Sequence, residues 1–464
     1  MPSTAIVWFR RDLRVHDHPP LVAALSAHER IVPVFVLDPV LLDGRFASAP
    51  RTAFLLDCLR ELDAALRERG GGLVLREGAP HEELAALATE VDARAVYWAS
   101  DATPYALARD RRVRGALTQA GVEAIPGPGN FVADIGKPRT QGGKPYTVFT
   151  PFFRVWEALD RRPVHRAPDE VPLPRGIAKS RIPARDDGLT ERAAAAGERA
   201  ARAALSRFLD HDVDAYAEHH DRLAGGTSIL SPHLRFGTLS AREAEERASG
   251  RGGEGARAFV RQLAWRDFYA HVLLHHPADL HHEHQPPMRA LAWDADEELL
   301  DAWREGRTGY PLVDAGMRQL RASGWMHNRA RLVVGSFLTK DLQLDWRAGE
   351  AWFMRWLLDG DIAQNNGNWQ WIASVGVDPA PVFRRILNPT MQQRRHDPDG
   401  DYVRRWVPEL RAVPDEHLAE PWRMSAEQQR DAACTIGDDY PAPVVEHRVE
   451  RRRALARYAA ARQG

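Results

Sequence analysis

The hydrophobic pattern of this 464-residue chain changes period partway along, and that change limits the folds open to it. Up to about residue 130, short apolar runs at 5–9, 31–37, 73–76 and 95–98 alternate with amphipathic helical stretches at 51–68, 81–90 and 105–120. Strands separated by helices pair in parallel, so this part predicts an open, doubly wound α/β sheet of the Rossmann-like kind. From 131 to about 190 the chain becomes rich in Pro, Gly and Arg (GPGNF, GKPRTQGGKPYTVFTPFFR, VPLPRG, RIPARDDG), which predicts a connecting segment with little regular structure. Helical periodicity dominates afterwards, at 193–209, 255–276, 297–305, 311–323, 328–340 and 350–358. The expected organisation is therefore an α/β domain (1–130), a linker (131–190) and an all-helical domain (191–464), without an internal repeat.

Hydrophobic content of 44% and charged content of 27% are those of a soluble globular protein, and the length allows two or three domains. No apolar run approaches a membrane span, and MPSTAIVWFRRDLR lacks the apolar core of a signal peptide, so a cytoplasmic protein with no membrane contact is expected. The two cysteines, Cys58 and Cys434, cannot build a disulfide framework. A net charge of -1 means that any polyanion site must be a local patch. The oddity is the placement of tryptophan: eight of 14 fall between Trp293 and Trp371.

The densest chemistry lies in DGDIAQNNGNWQW, Asp359 to Trp371. Asp359 and Asp361 follow an apolar helical pattern that Gly360 is expected to end, since glycine accepts the left-handed turn. Buried there, the carboxylates need donors, and Arg331 is a candidate partner. Asn365 to Asn368, with Gly367, read as a tight turn presenting amides. Trp369 and Trp371 then face different directions, roughly 200° apart if helical. Two readings stay open: two aromatic platforms facing two different things, or a Trp-rich core capped by a polar turn.

Elsewhere, Gly226-Thr227-Ser228-Ile229-Leu230-Ser231-Pro232 sets three hydroxyls beside glycine, a group able to cradle phosphate, although a plain helix cap is the simpler reading. Gln262, Trp265, Arg266 and Asp267 put polar groups around an indole on a helix that also carries Phe259. Arg10, Arg11, Asp38 and Asp101 follow strands, where such sheets bind ligands and where caps are equally common; no GxGxxG lies in this first part of the chain. The histidines from His275 to His284 match no ligand spacing, so a solvated loop and no metal are expected.

Taken together, WFRRDLR, TSILSPHLRFG, QLAWRDFY, TGYPLVDAGMRQLRASGWMHNRARL, FLTKDLQLDW, DGDIAQNNGNWQW, NPTMQQ and RRWVPEL resemble the photolyase and cryptochrome flavoproteins, most closely the prokaryotic class I cyclobutane pyrimidine dimer photolyases. They occur in order along nearly the whole chain. The resemblance implies an FAD folded inside the helical domain, with Tyr216, Thr227, Ser228, Ile229, Leu230 and Ser231 on its phosphate and ribitol side. It implies Phe259, Gln262 and Arg266 as pocket lining, and Asn328, Arg331, Asp359, Gly360, Asp361 and Asn365 on the isoalloxazine and ribose side. A neutral amide such as Asn365 at the flavin N5 suits a reduced, anionic donor.

By the same resemblance, Trp293, Trp346 and Trp369 form an electron relay, and Trp265 and Trp371 sandwich a flipped-out dimer. Flipping costs a few kcal/mol and stacking returns ~1 to 3 kcal/mol per base. Asn328, Arg329, Arg384, Arg385 and Gln392 are implied on the DNA side, with Arg394, Arg395, Arg404 and Arg405 widening a basic rim. The partner implied is ultraviolet-damaged DNA, met by a monomer without an obligate protein partner. Excited reduced FAD would give an electron to the dimer, the cyclobutane ring would split, and the electron would return. Arg11, Asp38, Arg51 and Asp101 are similar to positions that hold an antenna, 8-hydroxy-5-deazaflavin, with methenyltetrahydrofolate as the competitor.

The pattern departs from that family at three places: Gln262 stands where dimer photolyases carry a Glu, Leu332 where they carry Met, and His220 where they carry Arg. Glutamine cannot supply a proton or a negative charge, so slower repair is expected. Repair of (6-4) lesions uses paired histidines, whereas this chain has Asn328 and Leu332. The alternatives are a cryptochrome-type blue-light receptor and a plain redox flavoprotein, and the latter gives no reason for paired external indoles.

Overall fold

A computed structural model describes residues 3–177, 181–378 and 380–463. Five strands form one fully parallel sheet: β1 (Thr4–Phe9), β2 (Arg30–Leu37), β3 (Val74–Glu77), β4 (Ala93–Ala99) and β5 (Glu123–Gly127), in the order β3-β2-β1-β4-β5. The crossovers include α1 (Pro19–Ala27), α2 (Ala49–Arg67), α3 (Pro80–Glu90) and α4 (Pro104–Gln119). One face buries Val7, Phe9 and Phe35 against Phe54 and Leu59, and the other buries Ile6, Trp8 and Val34 against Leu84 and Val113. Both faces being covered explains why these strands read as continuous apolar runs rather than as alternation. The strand order reverses between β1 and β4, which opens a crevice at their carboxyl ends beside Arg10, Arg11 and Asp101.

Two elements of this sheet domain lie outside the expected set. β5 is EAIPG, whose Pro126 and Glu123 hide a strand signal; it is an edge strand, paired only with β4, where Pro is tolerated. α1 begins with Pro19-Pro20, which suggests a break, yet proline fits the first helical turn, and His18 caps the helix by accepting from the Leu21 N–H at 3.0 Å.

The expectation of little regular structure from 131 to 190 is corrected at α5 (Phe149–Glu157), which buries Phe149, Phe152 and Trp156. Asp267, wholly buried, ties this segment down by accepting the Trp156 indole N–H at 3.0 Å and the backbone N–H of Val132 at 3.0 Å.

The helical part includes α6 (Glu198–Arg207), α7 (Gly253–His275), α8 (Pro311–Ser323), α9 (Asn328–Ser336), α10 (Trp346–Trp356), α11 (Ile362–Ile372) and α12 (His447–Gln463). A large core around Trp303, Leu320, Phe337 and Trp346 holds α8 to α11 and α12 together, while Phe208, Phe259, Leu263 and Phe268 join α5, α6 and α7. Wide π-type turns at Phe208–Asp212 and Phe337–Asp341 end α6 and α9 earlier than their periodicity suggests.

Two expectations about the 359–371 segment are overturned. Asn365 to Asn368 form no turn: Asp361 caps α11 by accepting the Gln364 N–H at 3.1 Å, and all four residues are helical. Gly360 does not end the preceding helix in a left-handed turn; α10 stops at Trp356, where Leu357 turns extended. A Cβ at 360 would lie 2.6 Å from the Arg51 guanidinium, which would have to shift. Gly367 answers to the same constraint, since a Cβ would fall 2.2 Å from the Tyr269 ring.

Candidate functional site

Between α7, α9 and α11 lies a cavity of about 440 Å³, and a smaller one of about 80 Å³ adjoins it, sharing Asn328, Arg331, Asp359 and Asp361. The larger is lined by Tyr216, Thr227, Ser228, Ile229, Leu230, Ser231, Phe259, Gln262 and Arg266 as well as by the shared residues. Gly360 and Asn365 line the smaller one together with Trp369. Residues from five separate stretches of sequence therefore converge on one interior space.

Each side chain is held by a neighbour with a physical reason to hold it. Arg331 meets Asp359 with both arms, at 2.8 and 3.2 Å, so two charges at the cavity wall are mutually compensated. Burial alone would raise the Asp361 carboxyl, but Arg11, Arg235 and Arg266 outweigh it and hold the group well below the usual carboxylate range. Asn365 donates its amide N–H to the Glu350 carbonyl at 3.0 Å, which orients the side chain and leaves Oδ1 without a partner among the described residues. Trp325 donates its indole N–H to Ser231 at 3.2 Å.

The 225–231 loop earns its shape from unusual backbone: Gly225 and Gly226 have φ of 137° and 75°, and Ile229, a β-branched residue, has φ of 49°. A Cβ on Gly226 would sit 2.6 Å from the His219 carbonyl oxygen. A left-handed backbone at a β-branched residue is costly and is held there by the surrounding structure. This lining fits an FAD: the Thr227 and Ser228 hydroxyls and a glycine loop on one side, aromatic and amide groups on the other, and in Asn365 an oriented acceptor with no donor among the described residues.

Trp265 and Trp371 both line the larger cavity. Each has one ring face already covered. Phe149 stacks on Trp265 with centroids 3.7 Å apart and planes 6° from parallel, and the Arg385 guanidinium lies 4.3 Å from the centre of Trp371. Asp378 further fixes Trp371 by accepting its indole N–H at 3.3 Å. Phe149 was legible only as part of the aromatic run FTPFF, within a stretch that read as linker.

Trp369 is buried against Phe353 and Trp303, with ring centres 5.0 and 6.2 Å away. It presses on α10 at Gly349, one turn from the wholly buried Trp346. Trp293 is half-buried and adjoins Asp294, which bridges to Leu344, two residues before Trp346. The three indoles thus follow one another through adjacent backbone.

The expected basic rim is narrower than the sequence suggested. Arg329 is ion-paired with Asp221. Arg385 is 1% exposed and donates to the Asp378 carbonyl at 2.9 Å, so it backs Trp371 instead of meeting phosphate. Arg394 pairs with Glu420 at 2.6 Å, Arg404 with Asp415 at 2.5 Å, and Arg405 with Glu191. Arg384 and Arg395 are exposed and form no ion pair among the described residues, and Gln392 is half-buried with its Oε1 unpartnered. The acidic neighbours in question are 26, 11 and 214 residues away in sequence, which is why periodicity could not reveal them.

The histidine-rich segment is no free loop. Gln370 donates to the Asp279 carbonyl at 2.6 Å, His284 meets Asp279 at 2.9 Å, and Glu283 is buried against Arg347 at 2.9 Å.

At the sheet's crevice, Arg11, Asp38, Arg51 and Asp101 line one cavity of about 150 Å³ with Arg10, Tyr105 and Arg109. Several also serve structure. Asp38 caps a short helix through the Val40 N–H at 3.1 Å, Asp101 accepts from Ala102 at 2.6 Å, and Arg51 donates to the Met354 carbonyl at 2.6 Å. Arg11 reaches Asp361 of the helical part, so the two cavities share a wall.

No helix among the described residues is long and apolar enough to cross a membrane. A family model described as DNA photolyase matches residues 5–174, and one described as the FAD binding domain of DNA photolyase matches residues 259–460. The chain is 45% identical to a deoxyribodipyrimidine photo-lyase of Streptomyces griseus over 98% of its own length and 100% of that protein. Among solved structures, a bacterial class III photolyase from Agrobacterium tumefaciens superposes with a TM-score of 0.95 at 35% identity, covering 100% of this chain and 98% of the other. An archaeal photolyase from Sulfolobus tokodaii, solved with two FAD molecules, superposes with a TM-score of 0.86 at 31% identity, covering 98% and 100%.

Proposed function

This chain belongs to the DNA photolyase family, and from that premise we infer that it is a light-driven deoxyribodipyrimidine photo-lyase that splits cyclobutane pyrimidine dimers in ultraviolet-damaged DNA. The observation that carries the reading is the pairing of Trp265 and Trp371 on one cavity that continues inward to Asn365 and Arg331. FAD, when bound and reduced, supplies the photoexcited electron.

The chain's own residues do the rest. Thr227, Ser228 and Ser231 offer hydroxyls to the diphosphate and ribitol, with Tyr216, Ile229, Leu230 and Phe259 enclosing them. Arg331, Asp359, Asp361 and Asn328 would hold the ring and ribose end, and the Asn365 Oδ1 would offer that end an acceptor. Trp265 and Trp371 stack the flipped dimer, which offsets the cost of opening the duplex. Gln262 hydrogen-bonds the lesion in place of a carboxyl group, and Arg329, Arg384 and Gln392 meet backbone phosphates, a contact that positions without reading sequence. Trp369, Trp346 and Trp293 would relay electrons inward from the surface.

The sheet's crevice holds a second chromophore, which we assign to 8-hydroxy-5-deazaflavin in preference to methenyltetrahydrofolate; the relative solved with two FAD molecules supports a second chromophore without identifying it. We divide the chain at about 130 and 190 into antenna, linker and FAD- and DNA-binding parts, and place it as a monomer in the cytoplasm.

The test mixes purified, reduced protein with ultraviolet-irradiated oligothymidine and counts dimers after illumination and after equal time in the dark. Loss of dimers only in light is expected. Equal counts would leave the chain a receptor of the cryptochrome kind, and the absorption spectrum of the protein as purified separates deazaflavin from folate.

A further inference from the structure

Arg329 stands in the first turn of α9 next to Asn328, which lines the cofactor cavity, and the reading above puts DNA phosphates at this arginine. Its guanidinium is already engaged: one terminal nitrogen, Nη2, donates to the Asp221 carboxylate. The pair is one-armed. Nε is buried with no hydrogen-bond partner, and Nη1 has none either among the described residues. Arg331, two residues on, makes a two-armed pair with Asp359 instead. A planar guanidinium is best satisfied by two parallel bonds to one oxyanion, so Arg329 rests in an arrangement that a phosphate could improve on. Both side chains are reachable from solvent, at 29% exposure for Asp221 and 20% for Arg329.

We propose that Asp221 is an internal stand-in for a DNA phosphate, occupying Arg329 until the backbone of the duplex displaces it. The step is an exchange of one oxyanion for another on the same guanidinium, with no bond made or broken beyond hydrogen bonds. Burial would raise the Asp221 carboxyl, but Arg329 outweighs that and keeps it below its usual range, so the competitor carries full charge. The contact is to backbone, so it costs damaged and undamaged DNA the same. Asp221 therefore sets how weakly the chain holds any duplex, while Trp265 and Trp371 decide how much more tightly it holds a lesion. A repair enzyme searching a genome gains from that division, because loose backbone contacts let it leave undamaged sites.

This rests on the DNA reading of Arg329, and the experiment separates the two. Binding of the holoenzyme to a fluorescent duplex, with and without one thymine dimer, is measured in the dark by anisotropy across a salt series. D221N is expected to bind both duplexes about three- to tenfold more tightly at low salt, with an unchanged ratio and a salt slope steeper by about one. In an R329Q background the same change should do nothing. Flavin content and melting temperature report whether each variant is folded, and R329K, which keeps the charge without the fork, should fall between wild type and R329Q. If R329Q weakens binding while D221N leaves it unchanged or weaker, the pair is scaffold and the proposal is overturned. If R329Q changes nothing on either duplex, its premise fails, and loss of lesion preference in W371A would still uphold the repair reading.

Discussion

Arg331 and Asp359 face each other across the wall of the cofactor cavity, Nη2 at 2.8 Å from Oδ2 and Nη1 at 3.2 Å from Oδ1, with the carboxylate side chain only 4% exposed. Removing one member strands the other. D359N keeps the volume but leaves the guanidinium without its anion, and the expected loss is about 2 kcal/mol, below the usual figure for buried pairs because Arg331 is partly wet. Urea unfolding of the flavin-free chain reads that loss, and titration with FAD reads the accompanying fall in affinity. Unchanged affinity in D359N would remove the pair from the cofactor's surroundings.

A second expectation concerns Gly349 on α10. Alanine is the better helix former by about 1 kcal/mol, so G349A should stabilise an isolated helix. Here its Cβ would sit 2.1 Å from Cη2 of Trp369, and overpacking of that kind costs about 1–3 kcal/mol. The indole has to move, so light-driven reduction of bound flavin should slow while flavin content holds. Photoreduction at the wild-type rate in G349A would argue against electrons passing through Trp369.

Acid sensitivity should trace in part to Asp17. Burial alone would raise its carboxyl, but the hydrogen bond and charge of Arg162, at 2.5 Å, bring it down to about 2. A depressed carboxylate contributes stability above its unfolded value of 3.8 and loses it as the pH falls toward 2. The difference is worth ~2 kcal/mol at neutral pH. D17N, which asparagine's tolerance of the left-handed backbone at this position permits, should lower stability at pH 7 and flatten its decline between pH 4 and 2. Identical pH profiles of melting temperature for the two proteins would exclude Asp17 from that role.

How much of this was legible follows from where each signal lives. Four of the five strands and most long helices could be read, because period and burial are local: Glu297–Glu305 and Pro311–Ser323 fall where the apolar spacing puts them. The 359–371 segment failed locally and succeeded globally. Asn and Gly read as a turn because their intrinsic preferences say so, yet Asp361 caps a helix over them and Tyr269 demands the glycine at 367. Parts of the cavity's lining, the 226–232 loop and the Arg331 and Asp359 pair, could be suspected from the residues, and the rest came from resemblance. What neither route supplied were partners far apart in sequence, such as Asp221 for Arg329 and Phe149 for Trp265, since nothing in a local window encodes them.

Arg385 supplies the last expectation, and it inverts the role its position suggested. The guanidinium is buried, with Nε and Nη1 unpartnered among the described residues, so by itself it is a costly group, and R385M should leave global stability unchanged or slightly higher. What the arginine provides is a cation 4.3 Å from the centre of Trp371, held there by its bond to Asp378, whose carboxylate also fixes the indole N–H. A desolvated contact of that kind is worth ~1 kcal/mol or somewhat more. Methionine would fill the volume but let the ring tilt, so dark affinity for a dimer-containing duplex should fall about fivefold. Affinity for undamaged duplex should stay where it was, because in the proposed function Trp371 meets only a base that has left the stack. The ratio of the two affinities is thus the deciding quantity: it drops in R385M if Arg385 backs the platform, and both affinities drop together if the arginine reaches phosphate after all.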